Sequence, residues 1–114
     1  MNPVFPIEVA AGGLTGKTGY LYKISGGVPA IVSAATDKPA GALDHYLSDT
    51  KGGLAIGGSR TRVKVTGAVD QYAFGKANAD ATVSAYTGEA GEVLCCQFLQ
   101  AGTDGELVNA VIIA

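Results

Sequence analysis

Almost nowhere does this chain run far enough without glycine or proline to complete three good helical turns, a weak stretch at 76–85 excepted. A glycine inside a helix costs about 1 kcal/mol relative to alanine, and a proline about 3 kcal/mol. The 17 glycines keep no three-residue period, which excludes a collagen-like helix. They read instead as tight turns, where glycine supplies backbone conformations that other residues resist. Hydrophobic residues make up 47% of the chain and charged residues 16%, which is enough apolar material for a core and too little charge for disorder. At 114 residues a single core is expected, since two would each be too small to hold. These features predict an all-β fold, a compact small barrel or sandwich of short antiparallel strands.

Strand signals are plentiful. At 18–25 (TGYLYKIS), Tyr20, Tyr22 and Ile24 alternate with Leu21 and Lys23, and 28–33 (VPAIVS) returns after Gly26-Gly27, so the two read as a hairpin. Pro29 has no N–H to give to a ladder, which puts its strand at an edge or at a strand start. In 59–67 (SRTRVKVTG), Arg60, Arg62, Lys64 and Thr66 fall on one face and Thr61, Val63 and Val65 on the other. That is a half-buried strand whose basic outer surface suits a partner. Extended chain is expected to continue through 68–74, with a short strand at 82–86. Finally, 91–100 and 106–114 flank a turn at 101–105 and are apolar on both faces, which predicts strands that are central or covered.

Residues 1–13 differ from the rest and read as an extended N-terminal arm, ahead of a single β domain at 14–114. Pro3 and Pro6 forbid a helix there, while Val4, Phe5, Ile7 and Val9 make the segment sticky, and Gly12-Gly13 offers a hinge. Fully extended, 2–12 reaches roughly 35 Å at about 3.3 Å per residue. Two destinations stand open: docking on a neighbouring subunit by strand addition, or serving as the first strand of its own domain.

Charge narrows the function classes. The formal net charge of −2 argues against nonspecific nucleic-acid binding, which needs a cationic surface. Between Lys51 and Lys76 lie five bases (Lys51, Arg60, Arg62, Lys64, Lys76) and one acid, Asp70; beyond Lys76 come five acids (Asp80, Glu89, Glu92, Asp104, Glu106) and no base. Such asymmetry suits head-to-tail contacts between copies, although two ordinary solvated faces explain it as well. No apolar run is long enough to span a membrane, and the N-terminus lacks the basic and apolar regions of a signal peptide. Cys95 and Cys96 are adjacent and cannot staple distant parts of one chain, which fits a reducing compartment. Strand alternation predicts one thiol inside as a small core group and the other facing outward, at an interface.

No residue pattern in the chain points to catalytic or cofactor chemistry. The one histidine, His45, follows Asp44, and neighbours in a strand point to opposite faces, so Asp44 is not expected to orient it. An enzyme would need a pocket joining His45 and Asp44 to a hydroxyl such as Ser48 or Ser59. No CxxC spacing or second histidine completes a metal site, and no cofactor is expected. Gly16-Lys17-Thr18 evokes a phosphate loop, but the glycine required five residues earlier is Ala11, and a strand follows rather than a helix. The Gly-rich stretch 52–58 (GGLAIGG) fails the dinucleotide pattern for the same reason and reads as turns and close backbone packing. Sugar binding would favour exposed aromatic platforms; there is no tryptophan, and Tyr20, Tyr22, Tyr46, Tyr72 and Tyr86 are what remains for that role.

An apolar arm with prolines, a Gly/Ala/Val-rich body, a basic strand running into GAVDQYAFG and a closing VNAVIIA resemble the small head-decoration (capsid cement) proteins of tailed bacteriophages. The resemblance spans most of the chain and lies in composition, length and strand order. It implies a non-enzymatic structural virion protein, made in the host cytoplasm, that binds the outer surface of a phage capsid and bridges coat subunits. The implied partner is the major capsid protein, with Val4, Phe5, Ile7 and Val9 lying against it. It also implies a homo-oligomer, a trimer first among monomer, dimer and trimer. The alternative is a sugar-binding or adhesin module of a phage fibre.

Overall fold

A computed structural model describes residues 4–113. In chain order the strands are β1 (Val4–Glu8), β2 (Leu21–Ser25), β3 (Val28–Ile31), β4 (Gly41–Tyr46), β5 (Lys51–Ala55), β6 (Arg60–Lys64), β7 (Phe74–Ala77), β8 (Val83–Ala85), β9 (Leu94–Phe98) and β10 (Leu107–Ile112). They form two five-stranded antiparallel sheets, ordered β1-β5-β4-β2-β3 and β6-β10-β9-β7-β8. No helix occurs among the described residues, and the weak helical stretch at 76–85 is instead the end of β7, a turn and β8.

The expected hairpin is β2–β3, with Ser25 opposite Val28 and φ of 58° at Gly26 and 79° at Gly27. Two consecutive positive φ angles are what the mirror-image two-residue turn requires. Pro29 lies in β3, at the edge of its sheet, where a missing N–H costs no ladder bond. β6 alternates as read from sequence, with Thr61, Val63 and Val65 buried and Arg60 and Arg62 exposed. β9 and β10 are interior strands, and Ile113 N–H still donates to the Cys95 carbonyl at 2.9 Å.

The main core lies between the sheets: Leu21, Ala42 and Ala55 from the first meet Val63, Val83, Phe98, Val108 and Ile112 from the second. Burying one such large side chain contributes about 1.5–3 kcal/mol. The second sheet curls so far that Val65 bridges Val83, and the Thr66 and Thr82 hydroxyls hydrogen-bond at 2.7 Å. The first sheet buries its other face too. Ile7, Tyr22, Leu43 and Leu54 form a smaller core there, closed by Leu14, which the Gly-rich loop 10–20 carries over the sheet and leaves 0% exposed. Gly19 joins the layers: its N–H donates to Leu43 O at 2.8 Å and its carbonyl accepts from Lys64 N at 2.9 Å. The Gly-Lys-Thr loop is thus a structural cover, and no helix follows it.

Four expectations need correction. Residues 68–73 are not a continuing strand: Val69 alone bridges Gly102, and Tyr72 turns the chain at φ 68°. β4 and β5 had no strand signal, because Gly52-Gly53 resembles a turn; the close backbone packing also expected of that stretch is what the structure shows. Both glycines lie inside β5, where a Cβ on Gly53 would sit 2.3 Å from Val4 Cγ1 and 2.9 Å from the His45 ring. The other two corrections are β-bulges. The β4–β5 register steps from Leu43↔Leu54 to His45↔Gly53, so Asp44 is an extra residue. The β7–β9 register steps from Gly75↔Cys96 to Lys76↔Leu94, so Cys95 is another. A bulge puts neighbouring side chains on one side of the strand, which defeats the two-residue alternation at both pairs.

Candidate interaction surfaces

Within the N-terminal segment, residues 4–8 form a strand of the chain's own sheet: β1 pairs with β5 over its whole length, Val4↔Ala55 to Glu8↔Lys51. Met1 to Pro3 lie outside the described residues. The pairing divides the four apolar positions read as partner-binding. Ile7 is 6% exposed and packed in the smaller core, and Val9 is half-buried against it. Val4 and Phe5 are 37% and 46% exposed, on an outer strand of their sheet, beside β5.

The basic positions share one outer face. Arg62 lies opposite Asn109 and Arg60 opposite Val111 across the β6–β10 ladder. Beside them opens a cleft of 460 Å³ lined by Arg60, Thr61, Arg62, Leu99, Gln100 and Asn109. Gln100 Oε1 accepts from Asn109 Nδ2 at 2.5 Å. The arginines were legible from strand alternation; Leu99, Gln100 and Asn109 were not, because only the β6-β10-β9 order brings them alongside.

An aromatic patch lies around β7, within the GAVDQYAFG stretch and beyond it. Tyr72, Phe74 and Tyr86 are 63%, 44% and 40% exposed, and Tyr86 N–H donates to Phe74 O at 2.8 Å. Tyr72 holds a left-handed backbone, costly for a residue with a side chain, and its carbonyl accepts from Gln97 Nε2 at 3.0 Å. Elsewhere an apolar groove of 670 Å³ runs between the 9–13 loop and β3, with Tyr22, Val28, Pro29 and Ile31 among its walls. Tyr22 and Tyr20 pack in or against the cores.

The bulge at Asp44 makes the contact that alternation argued against: His45 Nδ1 lies 3.1 Å from Asp44 Oδ2. The other carboxylate oxygen of Asp44 accepts from the Thr61 hydroxyl at 2.9 Å. The acid stands in the middle of this chain, whereas nucleophilic catalysis needs the histidine there. Ser48 instead caps the β4–β5 turn, accepting from Lys51 N at 3.2 Å, and Ser59 is buried. Both cysteines are free and buried. Neither therefore sits at the outer surface, as was expected of one, and a hydrogen bond with Cys96, then burial, pushes the Cys95 thiol pKa up. No group of three or more His, Cys, Asp or Glu able to hold a metal ion occurs among the described residues.

No protein-family model matches this chain, and no curated protein matches it. Among solved structures it is similar to the head fiber gp8.5 N base in bacteriophage phi29, with a TM-score of 0.61 at 13% identity, covering 98% of this chain and 94% of that one. At that identity the likeness establishes a shared fold across nearly the whole of both chains.

Proposed function

We propose that this chain is a structural protein of a phage virion that attaches to the outer surface of the head and bridges coat subunits, without catalysis. The observation that carries the reading is the fold it shares, end to end, with the base of a phage head fiber. The surface supports it. Val4 and Phe5 lie on a sheet edge open to strand addition, Arg60, Arg62 and Lys64 form a basic face, and Tyr72, Phe74 and Tyr86 supply the exposed aromatic rings that anchor protein interfaces. Many modest contacts repeated over a shell reinforce it collectively. Attachment as a homo-oligomer, a trimer first, belongs to the same reading.

Co-sedimentation with expanded, undecorated phage shells tests it. Deleting the N-terminal segment would take Ile7 out of the core, so a Val4→Ser/Phe5→Ser double variant is the better probe. Saturable binding by the native chain, weakened in the variant, is the expected result. A chain that sediments with no shell and binds glycans on an array would replace this reading with the adhesin one.

A further inference from the structure

The geometry points to the cleft between β6 and the β9–β10 turn as a carboxylate-binding site that takes an acidic side chain, Asp or Glu, of a partner protein. That the partner is a protein rests on the reading of the chain as a binding module; the site itself rests on the cleft. Its volume, 460 Å³, falls in the range of ligand sites. Arg60 and Arg62 are two residues apart on one strand, so both guanidinium groups leave from the same face. None of the residues lining the cleft is acidic, in a chain whose acids outnumber its bases.

The amides add direction. Gln100 Oε1 is taken by Asn109 Nδ2, which leaves the Gln100 NH2 as the end that donates. A planar carboxylate meets an arginine fork through two parallel N–H···O bonds, and a neighbouring amide donor adds a third bond to one of its oxygens. Leu99 gives the cleft one apolar wall for the methylenes of a glutamate. An acidic sugar fits less well, because no aromatic ring lines the cleft to carry a pyranose face.

The test is an NMR titration of the full chain with an end-capped tetraglutamate peptide, followed at the side-chain NH2 of Gln100 and Asn109 and the Nε–H of Arg60 and Arg62. Saturable shifts confined to these groups are expected, with affinity lowered at least tenfold in both Arg62→Gln and Arg62→Lys. Lysine keeps the charge and loses the fork, so undiminished binding by Arg62→Lys would overturn the proposal. Shifts spread over Lys51, Lys64 and other cations would overturn it as diffuse attraction. Glucuronate binding as tightly as the peptide would overturn it in favour of an acidic sugar, and an absence of shifts would overturn it outright. No shell enters the measurement, so its failure leaves the shell-binding result standing, and the reverse.

Discussion

The Lys76 ammonium lies 3.0 Å from the Glu92 carboxylate, tying β7 to the loop that leads into β9. Glu92 Oε1 also accepts from the backbone N–H groups of Thr87, Gly88 and Glu89, and Oε2 accepts from the Thr87 hydroxyl at 2.7 Å. One acid thus organises a whole turn, and its side chain is only 8% exposed.

These donors, the Thr87 hydroxyl first, hold the Glu92 pKa down at about 2, and Lys23 with the Ser33 and Ala34 N–H groups does the same for Asp37, also to about 2. A carboxyl whose folded pKa is depressed stabilises the fold above its ordinary value and loses that contribution as pH falls toward the folded one. The melting temperature should therefore fall between about pH 4.5 and 2, and fall less steeply in Glu92→Gln. Thermal unfolding of both proteins across that window checks this; parallel curves would remove Glu92 from the account.

Gly19 sits at φ +88° with Lys64 N only 3.0 Å and Arg62 O 3.2 Å from where a Cβ would be. Gly19→Ala should cost about 2 kcal/mol or more, adding backbone collision to the left-handed penalty of about 1–2 kcal/mol. Gly13, at φ +102° with nothing within 4 Å, should pay the conformational penalty alone. Urea unfolding of the two alanine variants measures the difference.

Ile7 and Phe5 share a strand and separate folding from binding. Ile7→Ala should destabilise the isolated chain by about 2–4 kcal/mol, as truncation of a buried side chain does. Phe5→Ala should change stability by about 0.5 kcal/mol or less, as at most exposed sites, while lowering shell binding. The pair of denaturation curves, beside the sedimentation assay, decides it.

Cys95 and Cys96 should resist a water-soluble thiol reagent in the native state and both react once the chain is unfolded in urea. Their burial at 1% and 0% exposure and the raised Cys95 pKa leave no accessible thiolate. Rapid labelling of either without denaturant would show that the β9 bulge opens.

What the sequence determined by itself is everything that follows from one residue's own backbone limits or from a pattern within one strand. Glycine and proline spacing excluded long helices everywhere but 76–85, Gly26-Gly27 specified a hairpin, Pro29 specified an edge or a strand start, and the alternation of 59–67 named the basic face. Tertiary structure decided what depends on the register between strands far apart in the chain. Asp44 and Cys95 became bulges only because their partner strands each lack one residue at that point, which turned His45 onto Asp44 and put both thiols inside. β5 holds Gly52-Gly53 because His45 and Val4 press against it, and Ile7 entered a core because Leu14 folds back over the same face. The cleft that gathers Arg62, Asn109 and Gln100 has the same origin. Pairing free energy is spread over whole ladders and the apolar faces behind them, so no local run of residues reveals it.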